Sequence, residues 1–221
     1  MKEPAIGLVL PSPEGVAYRF DPGALGLELL PTGGPGAYAG YEVLHEPADL
    51  VRWAAACRLR PDPDGLAVSP EDVATARYLR DALWRVAVAR VHGQPLPAAD
   101  LVVLNEAAAW RPPALRLAAD GSRAWRTPVT GTQVLAAVAR DAVELFSGPY
   151  ADRVRECSAH DCRLVFVDTS RPGRRRWCSM EHCGNRHKVR AHRSRSQAHE
   201  AHEASRDPKA GVRAPTPRLS R

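Results

Sequence analysis

Four cysteines lie within 27 residues near the C-terminus of this 221-residue chain, in two pairs of equal spacing. Cys157 and Cys162 form the first pair, Cys178 and Cys183 the second; each pair encloses four residues, and fifteen residues separate the pairs. Two short-spaced pairs joined by such a loop can bring four thiolates around one tetrahedral Zn²⁺. A segment of about 40 residues buries too little surface to fold alone, and a bound metal would supply the missing stability. The spacing therefore predicts one structural zinc ion held by all four cysteines.

Other uses of these cysteines stay open at the level of sequence. They could form two disulfides, although a chain without an export signal is expected in a reducing compartment. A catalytic zinc would need an open coordination position, which four thiolates do not leave. His160 and His182 lie near the ligand cysteines and could replace one of them. The fifth cysteine, Cys57, lies far away on an apolar helical stripe, so we expect it in the core.

The positive charge of the chain is concentrated around the cysteine pairs. The formal net charge is +6, but residues 151–221 carry +9 and residues 1–150 carry −3. A basic segment beside an acidic one is typical of a module that binds a polyanion. We expect the loop arginines before Trp177 to contact phosphates and the helix after Cys183 to read bases. The candidate nucleic-acid contacts are Arg174, Arg175, Arg176, Arg186, Lys188, Arg190, Arg193 and Arg195.

The sequence around the cysteines resembles a known zinc module. Residues 174–193 read RRRWCSMEHCGNRHKVRAHR, and residues 157–171 read CSAHDCRLVFVDTSR. Both segments are similar to the CGNR zinc finger, named for the motif that runs here from Cys183 to Arg186. In that family the finger follows a helical ABATE domain, and the members are bacterial proteins expected to act as stress-induced transcription regulators. The resemblance implies that the four cysteines are the zinc ligands.

The resemblance is looser near the N-terminus. Family members usually begin with a segment like L-x-L-D-L-x-N-T, and the nearest stretch here is residues 25–32, LGLELLPT. Glu28 replaces the aspartate of that pattern and Pro31 replaces the asparagine. Any role of those two polar residues in the family is therefore not carried over to this chain.

The chain outside the cysteine segment is expected to be mainly helical with minor β-structure. Ser69 and Thr130 are predicted helix N-caps, and proline or glycine residues end the helices. Four helices are predicted, over about 47–59, 70–91, 97–110 and 131–147. Two hairpins are predicted, residues 6–10 with 16–20 and residues 115–117 with 124–126.

Three segments follow from this organisation. Residues 1–150 form an ABATE-like helical domain, and residues 151–195 form a CGNR-type finger made of a knuckle, a hairpin and a helix. Residues 196–221 are polar and are expected to be a disordered tail. No apolar run reaches the ~20 residues of a membrane span, and no signal peptide is recognisable, so we expect a cytoplasmic protein without membrane contacts.

The leading hypothesis is a zinc-dependent DNA-binding transcription regulator whose body senses a signal or forms a homodimer. A second hypothesis, from another class, is a zinc-stabilised module that binds a protein partner and no nucleic acid. RNA binding, a solvated basic face without a partner, and an oxidation-sensitive zinc site are further alternatives. An enzyme is not expected, because the chain has no G-x-S-x-G, no P-loop and no G-x-G-x-x-G after a strand.

Overall fold

The structure is a computed structural model that describes residues 6–12 and 14–206. Its helices are α1 (Leu25–Glu28), α2 (Pro47–Ala56), α3 (Pro70–Val91), α4 (Ala98–Ala109), α5 (Gly131–Ser147) and α6 (Asn185–Arg206). Its strands are β1 (Leu8–Pro11), β2 (Ala17–Phe20), β3 (Leu66–Ala67), β4 (Leu115–Leu117), β5 (Arg123–Trp125), β6 (Val129–Thr130), β7 (Val154–Glu156) and β8 (Val165–Val167). Within the described residues the strands pair two by two, and no helix has the length and apolar character of a membrane span.

Helix α5 is the central helix of the body and contacts α1, α3 and α4. It begins with a capping box: the Thr130 hydroxyl accepts from the Gln133 amide at 3.2 Å, and the Gln133 side chain accepts from the Thr130 amide at 3.0 Å. This exchange satisfies amide groups that the first helical turn leaves without partners. Apolar residues recur at helical spacing along one face of α5, which buries that face in the core. The fully buried members of this face include Leu135, Val138, Ala139 and Ala142.

The short helix α1 packs closely against α5. A Cβ on Gly26 would lie 2.8 Å from the Cβ of Ala142, so only glycine allows this approach. The Gly26 amide donates to the Asp141 carboxylate at 2.7 Å, which fixes the position of α1 along α5. Burial raises the pKa of that carboxyl. Helix α1 is therefore held by backbone contact as well as by its leucines.

The N-termini of α3 and α5 lie side by side because the strands before them, β3 and β6, pair in parallel. Asp72 joins the two helices. One of its oxygens accepts from the Ser69 amide at 2.9 Å and caps α3, and the other accepts from the Thr132 hydroxyl at 2.8 Å. The carboxylate that caps α3 thus also binds the first turn of α5.

A buried ion pair connects α3 to the loop before α2. Arg80 is only 2 % exposed and donates to both oxygens of Glu42 at 2.8 Å. It also donates to Asp81 and to the Thr32 carbonyl. A buried guanidinium is tolerated only when its donors find partners, which this network provides.

Strand β8 separates two hydrophobic cores. Val165 and Val167 point into the helical core of the body, whereas Phe166 packs beside the cysteines in a second core. Successive side chains of a strand point to opposite faces, so one three-residue strand contributes to both cores. Its partner β7 packs against α3. The cysteine segment therefore packs against the body through β7 and β8.

The N-terminal hairpin of β1 and β2 packs on the second core. The hairpin itself was predicted from the sequence. Its strands pair antiparallel, with Leu8 opposite Phe20. Phe20 is fully buried beside three of the cysteines, and Leu10 and Tyr18 pack at the edge of the same cluster. Sequence reasoning placed this hairpin in the first domain, but its apolar contacts are with the cysteine module.

The predicted helices and hairpins are confirmed, with ends that differ by a few residues. The short helix α1 was not predicted. Helix α6 continues to Arg206, so residues 196–206 are helical where a disordered tail was expected. The remaining part of that predicted tail, residues 207–221, lies outside the described residues. Mainly helical architecture with minor β-structure and a C-terminal cysteine module is confirmed.

Candidate metal centre and nucleic-acid interface

The first cysteine pair lies in the connection between β7 and β8. Cys157 follows β7, and its amide donates to the Leu164 carbonyl at 2.9 Å, which closes the connection. The Cys162 amide donates to the Ala159 carbonyl at 3.0 Å in a tight turn. The two sulfurs are thus brought to one side by the loop. The prediction placed a hairpin after this knuckle, but in the structure the paired strands β7 and β8 flank the knuckle on either side.

The second cysteine pair lies at the start of α6. The Cys178 amide donates to the Cys157 sulfur at 3.4 Å, which joins the two pairs. Ser179 then caps the next turn by accepting from the Glu181 amide at 3.2 Å. Cys183 lies in that turn, a single π-helical turn over Met180–Gly184 that leads into α6.

Each residue of the Cys-Gly-Asn-Arg motif has a structural role. A Cβ on Gly184 would lie 2.8 Å from the Met180 sulfur, so glycine lets the Met180 side chain pack over the turn. The Asn185 side chain donates to the Glu181 carbonyl at 3.3 Å. The Arg186 guanidinium donates to Asp161 and contacts the His182 ring at 3.1 Å. Arg186 thus binds the knuckle through Asp161.

The four sulfurs form a compact cluster that fits a tetrahedral metal. All four lie within 4.8 Å of one another, and the sulfurs of Cys162 and Cys178 are 3.7 Å apart. Four thiolates at about 2.3 Å from Zn²⁺ would be about 3.8 Å apart. All four cysteines are free, so the structure does not have the alternative disulfides. The spacing thus fits one zinc ion and four sulfur ligands.

The two nearby histidines have other partners. His182 stacks on Tyr18 with ring centroids 4.3 Å apart and 15° between the planes. His160 contacts the guanidinium of Arg190 at 3.0 Å. Among the described residues, the candidate metal-binding group contains the cysteines alone. A histidine in place of one thiolate is therefore not what this geometry favours.

The electrostatics of the cluster also favour a cation. Hydrogen bonds from the thiols of Cys162 and Cys178 lower the pKa of Cys157. Burial raises the pKa of Cys183, and hydrogen bonding to Cys157 raises the pKa of Cys178. Several thiolates in one buried place repel each other, so the cluster cannot ionise fully without a positive ion. Zn²⁺ would permit all four thiolates to form together.

Cys57 behaves as the sequence predicted. It is fully buried in the body core, its thiol donates to the Ala54 carbonyl at 3.1 Å, and burial raises its pKa to about 12. A thiol with so high a pKa is neutral at physiological pH and unreactive. It is therefore a core residue.

Asp168 organises the loop between β8 and Cys178. It is 1 % exposed and accepts from the Ser170 amide at 3.0 Å, the Ser170 hydroxyl at 2.6 Å and the Arg175 amide at 2.9 Å. Burial opposes its ionisation, but these hydrogen bonds outweigh burial and lower its pKa. No role was predicted for this carboxylate from the sequence. Its role is to shape the loop that carries three arginines.

The three loop arginines have different environments. Arg174 and Arg176 are exposed. Arg175 is partly buried: its guanidinium lies 4.1 Å from the centre of the Phe166 ring and donates to the Trp177, Cys178 and Asp21 carbonyls. Arg175 therefore holds the loop and the N-terminal hairpin against the cysteine core, and the two neighbours are turned outward.

The arginines of α6 also divide into two groups. Arg186 and Arg190 lie one turn apart on the same face, and both bind Asp161 of the knuckle. Lys188, Arg193 and Arg195 are exposed. Asp161 was given no role from the sequence because its partners lie 25 and 29 residues further along the chain. Of the eight predicted contacts, six side chains are exposed: Arg174, Arg176, Lys188, Arg190, Arg193 and Arg195.

Comparison with known protein families agrees with this geometry. The model of the ABATE family, described as "Putative stress-induced transcription regulator", matches residues 23–149, and the model of the CGNR zinc finger matches residues 153–196. Neither is an enzyme family. No curated protein sequence matches the chain. The four cysteines lie inside the second range and are positioned to hold one structural Zn²⁺. The chain therefore belongs to the ABATE family and carries a CGNR zinc finger C-terminal to its ABATE domain.

Proposed function

We propose that the chain is a zinc-dependent transcription regulator whose finger binds duplex DNA. The observation that carries this proposal is the exposure of basic side chains around the cysteine site, on the loop and along α6. Every described side chain from His187 to Arg195 is exposed. The helix has 22 residues and is about 33 Å long, which is enough to lie in a major groove. The chain acts by binding in this account, and no catalytic step is assigned to it.

The roles of the basic residues are refined by their surroundings. We propose that Arg174 and Arg176 contact phosphates, and that Lys188, Arg193 and Arg195 face the DNA from α6. Arg175, Arg186 and Arg190 serve first as internal supports, because their guanidinium groups bind other parts of the finger. This proposal replaces the prediction that all eight basic residues contact nucleic acid.

The test is salt-dependent binding of the zinc-loaded full chain to a random duplex DNA pool. Each lost phosphate contact makes the negative slope of log K against log salt shallower by about 0.9, so Arg174→Ala with Arg176→Ala should make it shallower by about 1.8. The matched control is Arg111→Ala with Arg126→Ala, two exposed arginines of the body, which should leave the slope unchanged. Chelation of zinc should abolish the binding.

Other outcomes would favour the alternatives. Tighter binding to structured RNA than to duplex DNA would favour an RNA-binding protein. An absence of salt-sensitive binding to either nucleic acid would reject the proposal and favour a zinc-stabilised protein-interaction module. Selection of bound sequences from the pool would identify the target.

For the body we propose dimerisation or signal sensing. The β4–β5 hairpin supports an interaction role, because Leu115 and Leu117 lie on one face of β4 and are 58 % and 79 % exposed. A dimer would also double the DNA surface that a single finger contacts. Light scattering with and without DNA tests the proposed dimerisation, and a dimer is expected. A monomer under both conditions would exclude dimerisation, and signal sensing would be the remaining role proposed for the body.

A further inference from the structure

A groove lies between the N-terminal hairpin and the finger loop. Its volume is about 690 Å³. One side is formed by Arg19 and Asp21 at the end of the hairpin, and the other by the loop of Asp168 and by the turn after Cys178. The hairpin lies outside both ranges matched by the family models. The family descriptions therefore assign no function to the hairpin side of the groove, whereas the loop side lies within the CGNR zinc finger.

The lining of the groove has a positive balance. Four arginines line it, against the carboxylates of Asp21 and Glu181. Asp21 is already bound by Arg58 at 3.1 Å, which reduces its effect on an approaching anion. Arg19, Arg174 and Arg176 are exposed. Apolar surface is also present, supplied by Pro172, Trp177 and Met180.

The two sides of the groove are held in a fixed relation. Phe20 is buried in the cysteine core, and Tyr18 stacks on His182 at 4.3 Å. The Arg175 guanidinium donates to the Asp21 carbonyl at 3.2 Å, which joins the hairpin to the loop. The Val167 amide donates to the Pro22 carbonyl at 2.8 Å, which joins the hairpin to β8. A site built on such supports needs little reorganisation to bind.

The groove continues into the basic helix. Trp177 lines the groove and also contacts His187 in the first turns of α6, with ring centroids 4.6 Å apart. Lys188 follows directly and is exposed. A phosphate backbone that lies in the groove could therefore continue along α6.

We infer that this groove binds the sugar-phosphate backbone of duplex DNA, and that the N-terminal hairpin supplies one of its contacts through Arg19. The inference rests on the proposed function and extends it to a segment outside the finger. Arginines on both sides can contact phosphate oxygens, and Trp177 and Met180 offer apolar surface to the sugars. The hairpin thus adds DNA contact area that a single small finger lacks.

The experiment compares Arg19→Ala with the wild-type chain and with Arg163→Ala, all zinc-loaded and of full length. Arg163 is an exposed arginine of the finger that does not line the groove and that binds Glu156 at 3.1 Å. Arg19→Ala should make the negative slope of log K against log salt shallower by about 0.9, and Arg19→Lys should restore the wild-type slope. Arg163→Ala should change the slope by less. Zinc content and the thermal transition of each variant confirm that folding is intact.

The outcomes separate this inference from the proposed function. If the wild-type chain binds duplex DNA and Arg19→Ala has the wild-type slope, the groove inference is wrong and the proposed function stands. If Arg163→Ala makes the slope shallower by as much as Arg19→Ala, the effect is general charge and the groove inference is also wrong. If the wild-type chain shows no salt-sensitive DNA binding, the proposed function fails first, and the groove inference fails with it.

Discussion

At the scale of single residues, the sulfur cluster determines whether the finger can fold. Cys178 shows why: its sulfur lies 3.7 Å from that of Cys162, its residue is 1 % exposed, and its amide donates to the sulfur of Cys157. Such a side chain has no room to leave the cluster. Removal of the Cys178 sulfur therefore weakens both the coordination of zinc and the packing of the cluster.

We expect Cys178→Ser to lose zinc and to unfold the finger, because structural zinc contributes on the order of 10 kcal/mol in isolated finger peptides. Elemental analysis of the purified chain gives the zinc content, and proteolysis within residues 151–206 reports unfolding. Cys57→Ala is the control, because that buried thiol lies in the body core and should leave zinc stoichiometric. Full zinc occupancy in Cys178→Ser would contradict the assignment of this ligand.

Glu42 determines part of the acid stability of the body. Burial opposes its ionisation, but hydrogen bonds from Arg80 and the charge of Arg77 outweigh burial and lower its pKa below 4.5. A lowered folded-state pKa gives stability that is present above the unfolded value and is lost as pH falls through the folded value. Glu28 and Asp141 have raised pKa values in the folded state, so their protonation increases the stability of the body as pH falls over the same range.

For this reason the comparison of wild type with Glu42→Gln is more informative than either curve alone. The variant should be about 3 kcal/mol less stable at neutral pH, because Arg80 loses its main buried partner. The difference should shrink as pH falls below about 4.5. Urea unfolding at several pH values measures it. Arg52→Gln, which breaks an exposed pair with Asp49, should change stability by less than about 1 kcal/mol. A Glu42→Gln effect that is independent of pH would contradict the ion-pair account.

The role of a residue could be predicted only where its partners lie at a short, fixed spacing along the chain. The cysteines could be found because tetrahedral coordination requires short pairs, and Ser69 and Thr130 because caps act within one turn. The structural roles of Asp161, Asp168 and Arg175 were not predicted. Their partners come close only after the knuckle, the loop and the hairpin have folded. The eight basic residues consequently looked equivalent in the sequence.

At the scale of elements, the N-terminal hairpin is part of the metal module. Phe20 has no exposed surface and covers the cysteine cluster together with Phe166. Such a cover keeps water away from the sulfurs and supports the ligand geometry. The hairpin therefore contributes to metal retention although it is more than 130 residues away from the first ligand.

We expect Phe20→Ala to destabilise the finger by about 3–5 kcal/mol and to release zinc faster to a chelator. A colorimetric chelator gives the rate of zinc release. Val9→Ala is the matched control, because Val9 lies in the same hairpin and is 61 % exposed. Equal release rates for Phe20→Ala and wild type would show that the hairpin does not support the metal.

Elements with strong local signals were predictable and the others were not. Helices α3 and α5 have capping boxes and a long apolar face, so the sequence indicates both their start and their extent. Helix α1 has only four residues and forms because Gly26 allows contact with α5, which local sequence cannot reveal. Helix α6 was expected to end near residue 195 because its polar composition resembles a disordered tail.

At the scale of the whole molecule, strand β8 couples the finger to the body. Val165 and Val167 belong to the body core and Phe166 to the cysteine core, so the loss of the metal site weakens one face of the strand directly. The buried Val154 of β7 extends the contact. Sequence reasoning, which divided the chain at residue 150, gave no sign of this shared strand.

Chelation of zinc should therefore lower the melting temperature of the helical body. Exposure of three valines costs about 1.5–3 kcal/mol each, and several kcal/mol correspond to a shift on the order of 10 °C in a chain of this size. Circular dichroism at 222 nm follows the helices during heating. The control sample contains the same chelator already saturated with zinc. A helical transition that is unchanged by chelation would show that the two cores are independent.

The central claim is that four cysteine sulfurs bind one zinc ion and thereby order the basic surface. X-ray absorption spectroscopy of the zinc-loaded chain tests this claim most directly, because it reports the number, type and distance of the ligands. The account predicts one zinc per chain with four sulfur neighbours at about 2.3 Å. A first shell with nitrogen or oxygen ligands, or a purified chain without stoichiometric zinc, would contradict it.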